Sequence, residues 1–458
     1  MPHACLLWFK CTRVLRWPGC FDSSWPLSRR TLRVYYHIYV RLEHEESTLF
    51  AAAEHSSAYA YHNTTTPWNS LPIMTRTEQP RLPPTHRALV VNSVRKPLDI
   101  TVNPAHPTPQ PTPGSVVIRV LGAAVMPYAG EIYSGVRPYP FPTPLVPGFA
   151  AVGRVVATGP DAVLLRPGDL VWADPYVHAR DEDTATLILG TLEGLTPGGK
   201  LLMRGPLWAD GTYAEFARLP LENLHVLNET TLLGSPRDGG LGYVLEDLLA
   251  LSNMLVPYGG LRDVGLQAGE KVVVAPATGT FGGAAVPVAL AMGAREVVAM
   301  GRDEGKLALL SAQYGRRVRT VRIAGDAEAE AAALRGDTGP ADVFLDLSPP
   351  SSGGSSHLTA GLLSLRRAGR ASFMGGLAEC ASFPIRTVVS QALRLRGKTM
   401  YERADIAALV RLVEAGIVRL GAAGGITVAG RFGLEEFERA FECAARNNRA
   451  GSLTAIVP

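Results

Sequence analysis

Apolar residues change their spacing along the chain, and the change divides it. From Arg87 to about Leu233, short runs such as Val116-Val-Ile-Arg-Val-Leu121, Ala151-Val-Gly-Arg-Val-Val156 and Asp169-Leu-Val-Trp172 are β-branched and bounded by Pro or Gly. That is the pattern of short strands. Prolines crowd the turns at Pro104 to Pro113 and Pro138 to Pro147, which predicts rigid loops. Leu241, Val244, Leu245, Leu248, Leu249 and Leu255 fall mostly at helical spacing and predict a helix facing a core. Strand-like runs then alternate with helical patterns. Strands are expected at Lys271–Ala275, Glu296–Met300, Arg319–Ile323, Ala341–Leu345, Arg370–Met374 and Leu393–Arg396, and helices at Asp303–Tyr314 and Asp405–Ala415. Such alternation predicts an α/β fold with right-handed crossovers and a parallel, doubly wound sheet. A helix at Gly433–Phe441 and a strand at Ser452–Val457 close the chain.

Residues 1–73 follow neither period, yet they hold Trp8, Trp17, Trp25 and Trp68 and five of the ten His. Two readings stay open. Lys10, Arg13 and Arg16 precede the first acid, Asp22, as in a mitochondrial presequence. Alternatively Met74 is the true start. The rest has globular composition, with 47% hydrophobic and 19% charged residues, which excludes a disordered chain. The formal net charge is +4 with no Lys/Arg block, so no nucleic-acid partner is expected. No run of about 18 apolar residues occurs, so no membrane span is expected. Five Cys without a C-x-x-C pair point to a reducing compartment. The expected location is the cytoplasm, or the mitochondrion if the presequence reading holds.

The strongest chemical signal is Ala277-Thr278-Gly279-Thr280-Phe281-Gly282-Gly283, between the Lys271–Ala275 strand and its helix. Gly279 would let the backbone approach a pyrophosphate, and Gly282 or Gly283 would let helix and strand pack closely. The helix N-terminus offers free N–H groups to phosphates. An ordinary tight turn is the competing reading. At the end of the next strand, where an NAD site places an acid, the chain reads Met300-Gly301-Arg302-Asp303. Gly301 leaves room and Arg302 could pair with the 2′-phosphate of NADP(H), with Lys306 adding a charge one turn on. The alternative is a solvated Arg302, with Asp303 holding the ribose of NAD.

Val146-Pro-Gly148, Gly153-Arg-Val-Val-Ala-Thr-Gly159, Arg166-Pro-Gly-Asp-Leu-Val171, Asp210-Gly-Thr-Tyr-Ala-Glu-Phe216 and Leu266-Gln-Ala-Gly-Glu-Lys-Val272 match, in order and spacing, motifs of one family. The chain from about Arg87 to Pro458 resembles the medium-chain dehydrogenase/reductase superfamily. The resemblance implies a GroES-like catalytic domain over 86–240, a Rossmann domain over 241–420 and a return to the first domain over 421–458. It also implies a small-molecule substrate in the cleft between the domains, and a homodimer formed through the last strands of the Rossmann sheet. Zinc members carry a Cys, a His-Glu pair and a third ligand. Here those positions read Met126, Phe149-Ala150 and the stretch Asn253–Pro257, and a thioether, a phenyl ring and a methyl cannot replace the ligands. The segment length matches the zinc-free quinone-reductase and enoyl-reductase branch. That branch's Asn-Pro-x-Asp is Met126-Pro127-Tyr128-Ala129 here.

Without a metal, a hydride acceptor must be polarised by conjugation, as in an enone, an enoyl thioester or a quinone, with a donor completing proton transfer. Tyr128 is the candidate donor, with Tyr133 and Glu131 nearby; a pocket wall or surface residue is the competing reading. Three functions follow: an NADPH-dependent, zinc-independent reductase of conjugated carbonyls, an alcohol or ketone dehydrogenase, and a non-catalytic nucleotide-binding relative. The Ser348–Ser356 loop reads as a nicotinamide cover or a flexible linker.

Overall fold

The computed structural model describes residues 81–205, 207–376 and 380–458; the reading of residues 1–73 lies outside them. The Pro- and Gly-bounded runs form β1 (Thr85–Ser93), β2 (Asp99–Pro107), β3 (Ser115–Ala124), β4 (Ala151–Thr158), β5 (Leu170–Ala173), β6 (Tyr176–His178), β7 (Thr186–Ile188), β8 (Phe216–Pro220) and β9 (Leu224–Val226). The second half supplies β10 (Lys271–Ala275), β11 (Glu296–Gly301), β12 (Val318–Arg322), β13 (Ala341–Asp346), β14 (Leu365–Phe373), β15 (Arg394–Gly397), β16 (Thr427–Phe432) and β17 (Ser452–Ile456). β10 to β15 make one sheet in the order β12-β11-β10-β13-β14-β15, parallel at every pairing. β10, β11 and β13 are buried along their whole lengths or nearly so, as a sheet covered by helices on both faces requires. The order reverses between β10 and β13, the crevice where such sheets bind ligands.

The other large sheet runs β16-β17-β3-β4-β5-β9, with β8 on β3. β17 joins β3 at Ala455↔Ala124, so the C-terminal tail re-enters the first half. This is the GroES-like β-rich part beside a Rossmann sheet, as the resemblance implied.

The helix expected from Leu241 begins later. Gly242 holds a left-handed φ of 69°, and the N–H groups of Leu241 and Tyr243 are taken by Thr231 and Leu232 carbonyls. The Asp247 carboxylate then accepts the Val244 N–H and starts a 3-10 turn at Leu245–Ala250, followed by the helix Leu251–Asp263. The Ser348–Ser356 loop is no slack linker. It contains a 3-10 turn at Pro350–Ser352 and a buried Ser348 that links Asp346 (2.5 Å) to His357 (2.6 Å).

Candidate active site

The glycine-rich turn follows β10 and opens the Thr280–Ala291 helix. Ala277 N–H donates to the Met300 carbonyl at 2.7 Å, tying the turn to the end of β11. A Cβ on Gly282 would fall onto the Pro276 carbonyl oxygen, far inside contact, and one on Gly283 onto Ala450. Gly282 is therefore fixed by the close approach of helix and strand, and Gly283 by the approach of the tail. Gly279 is different: the only heavy atom within 4 Å of its virtual Cβ is Asn448 Oδ1, at 3.6 Å. Here the backbone lies open, as a cradle for a phosphate needs. Thr278 packs against Gly301, where a Cβ would come within 2.5 Å of Thr278 Cγ2. Phe281 is half-buried.

Asn448 is the residue that sequence reasoning missed. Its Oδ1 accepts both the N–H (3.2 Å) and the O–H (3.1 Å) of Thr280, and its carbonyl accepts Lys306 Nζ at 3.3 Å. One tail residue thus meets two groups expected to face the cofactor. The polar Asn447-Asn448 pair before β17 was the only signal, and nothing local linked it to a turn 168 residues away.

At the end of β11, Arg302 is exposed and makes no side-chain hydrogen bond or ion pair among the described residues. Asp303 caps the Glu304–Tyr314 helix, its Oδ1 accepting Lys306 N–H at 3.0 Å. Glu304 pairs with Arg322 at 3.4 Å. The acid next to Arg302 is thus already engaged in local structure.

Between the two halves lies a pocket of about 280 Å³, lined by Pro127, Ser252, Asn253, Thr280, Asn447 and Thr454 among others. It joins the glycine-rich turn to the segment that would carry zinc ligands. Met126 and Phe149 are buried there at 5% and 4% exposure and Ala150 is fully buried. Ser252 directs its hydroxyl to the Leu249 carbonyl at 2.7 Å. Among the described residues no group of three His, Cys, Asp or Glu side chains converges. These donors do not fit a catalytic zinc ion, which needs three convergent N, S or O ligands.

Tyr128 precedes the Ala129–Tyr133 helix. Burial and the neighbouring Tyr139 push its hydroxyl well above the usual tyrosine range, while Arg137 pulls the other way. Its phenol therefore stays protonated at neutral pH. Tyr133 plays a structural part: its hydroxyl donates to the Gly190 carbonyl (3.0 Å) and accepts Gly148 N–H (3.1 Å). Glu131 is exposed. Away from this pocket, Asp174 at the end of β5 is buried and accepts Tyr401 O–H at 2.6 Å and Tyr176 N–H at 3.1 Å. Desolvation raises its pKa to about 7 against those bonds.

The parallel sheet with its glycine-rich switch-point turn, and the β-rich half sharing a cleft with it, define a nicotinamide-dinucleotide oxidoreductase. Residues 112–229 match the family described as alcohol dehydrogenase GroES-like domain, and residues 281–415 that described as zinc-binding dehydrogenase. The chain belongs to the medium-chain dehydrogenase/reductase superfamily. It is 25% identical to L-threonine 3-dehydrogenase of Anaeromyxobacter dehalogenans (strain 2CP-C) over 362 residues, 76% of this chain and 93% of that protein. It is 26% identical to acryloyl-coenzyme A reductase of Metallosphaera sedula over 352 residues, 75% and 93% of the two chains. A cobalt- and zinc-bound thermostable alcohol dehydrogenase from Pyrobaculum aerophilum superposes with a TM-score of 0.61 at 25% identity, covering 81% of this chain and 99% of that one.

Proposed function

We propose that the protein is a zinc-independent, NADPH-dependent reductase of conjugated carbonyl compounds. The observation that carries this reading is the pairing of an intact dinucleotide turn with a metal corner built of Met126, Phe149 and Ala150. Relatives named as acryloyl-coenzyme A reductase and as L-threonine 3-dehydrogenase bracket the chemistry: reduction of an activated double bond, or oxidation of an alcohol. The donor set favours the first. An alcohol carbon needs its oxygen polarised strongly, whereas a conjugated acceptor spreads charge onto its own carbonyl.

Ala277 to Gly283 would hold the pyrophosphate, and Arg302 and Lys306 the 2′-phosphate. The bound nicotinamide supplies the hydride. The chain's part is to orient the reactants, exclude water and return a proton. Tyr128 is suited to that last task, because its phenol is protonated throughout the neutral range and Arg137 beside it stabilises the phenolate left behind. The carbon–carbon double bond becomes single, one carbon taking the hydride and its neighbour the Tyr128 proton, which solvent replaces. NADPH leaves as NADP⁺.

The exposed edge strand β15, flanked by Ile385 (68% exposed) and Val389 (73%), suits the addition of a second copy of this chain.

Metal analysis, together with NADPH- and NADH-consumption assays, tests this reading. The assays use 2-cyclohexenone, trans-2-hexenal, crotonyl-coenzyme A and cyclohexanone. Consumption of NADPH with a conjugated substrate but not with cyclohexanone, in protein free of stoichiometric zinc, is expected. About one tightly held zinc per chain would overturn it.

A further inference from the structure

The turn after the Ala129–Tyr133 helix carries a cation that its own fold leaves unanswered. Arg137 places its guanidinium carbon 3.8 Å from the centre of the Tyr128 ring and 5.3 Å from that of Tyr139. The two rings stand nearly edge to face, 6.4 Å apart. The backbone is held firmly: Arg137 N–H donates to the Glu131 carbonyl at 2.9 Å and Tyr139 N–H to the Arg137 carbonyl at 2.8 Å. Pro138 and Pro140 stiffen the loop, and the Pro140 carbonyl accepts Glu193 N–H.

The side chain makes no hydrogen bond or ion pair among the described residues, and its Nε is buried without a partner. A surface arginine left to solvent keeps all its N–H groups wet. A buried N–H with no acceptor costs about 1–3 kcal/mol, and such orphaned donors call for a partner that the fold does not supply. Stacking on tyrosine covers a face of the guanidinium but leaves its N–H edges in plane. Those edges match an oxyanion in two parallel bonds. Tyr128 follows Pro127, which lines the pocket shared with Thr280 and Asn253. The cation therefore stands one residue from the wall of the cleft and against the candidate proton donor.

From this geometry we infer that Arg137 anchors an oxyanion, a carboxylate or a phosphate, carried by the substrate. The substrates are then acidic conjugated carbonyl compounds rather than neutral enones. The inference rests on the reading above for the location of the reaction, and it makes Arg137 a specificity-determining residue.

The test is calorimetric titration of the full chain, saturated with NADP⁺, with crotonate and with its neutral isostere crotonamide. Crotonate should bind about tenfold more tightly, as a charge-assisted pair implies. Arg137→Gln should erase that preference and Arg137→Lys restore part of it, while NADP⁺ affinity stays unchanged in both, which reports that the variants are folded. Inorganic phosphate that displaces crotonate, and binds more tightly than it, assigns the anchor to a phosphoryl group; the reverse order assigns it to a carboxylate. Equal binding of crotonate and crotonamide, binding of neither, or a preference that survives Arg137→Gln overturns the inference and leaves the oxidoreductase reading standing. Failure of the wild type to bind either dinucleotide overturns that reading instead.

Discussion

Replacing Arg302 by Ala removes the one group at the end of β11 that is free to meet a 2′-phosphate. Its neighbours are occupied: Asp303 caps a helix, and Lys306 reaches the Asn448 carbonyl. A hydrogen bond to a charged group contributes about 1.5–3 kcal/mol. Arg302 is exposed, so solvent screening brings the expected effect to the lower figure, roughly tenfold in affinity. Fluorescence titration with NADPH and NADH reads it directly. Arg302→Ala should weaken NADPH about tenfold and leave NADH unchanged. The wild-type preference should shrink as salt rises from 0.05 to 0.5 M, because exposed charges are screened. Lys306→Ala should weaken NADPH less. Gly301→Asp offers no clean switch to NADH: its Cβ would come within 2.5 Å of Thr278 Cγ2, so it should impair both cofactors. Equal weakening of NADPH and NADH by Arg302→Ala would refute the reasoning.

Gly282→Ala should abolish binding of both dinucleotides in titration while the protein stays soluble, since its Cβ would overlap the Pro276 carbonyl. Tyr128→Phe should lower kcat on the order of a hundredfold, as loss of a general acid does, with NADPH affinity unchanged in the same titration. Asp174 has its folded pKa raised to about 7 from 3.8, so it stabilises the fold below the unfolded value and that contribution is lost as pH rises towards 7. Asp174→Asn should therefore remove a destabilising slope between pH 4 and 7, seen as a Tm that rises more with pH than the wild type's. Val389→Asp should shift a dimer to monomer in analytical ultracentrifugation.

The parts of the molecule legible in the sequence are those set by neighbours along the chain. β10, its glycine turn and its helix lie within some twenty residues, and Gly282 and Gly301 are glycine because backbone or a near side chain occupies the place of a Cβ. The helix expected from Leu241 was too long at its start, because the apolar spacing continued through a left-handed Gly242 that spacing cannot register. The Ala327–Arg335 helix went unread, as its Ala and Glu show little apolar periodicity, and β16 lacked a clear alternation. What escaped altogether were meetings over long separations: Asn448 with Thr280, Tyr401 with Asp174, and Arg137 against Tyr128 without an acid. Such pairs are fixed by how the sheets assemble, and no local pattern encodes them.

The fate of the hydride tests the central claim most directly. Chelator-treated protein is given 4-deuterated NADPH and the conjugated substrate it consumes fastest, and the product is examined by NMR. Deuterium at the β-carbon of a saturated carbonyl product is the predicted result. Deuterium on the carbonyl carbon of an alcohol, or turnover that returns only when zinc is restored, would contradict the account.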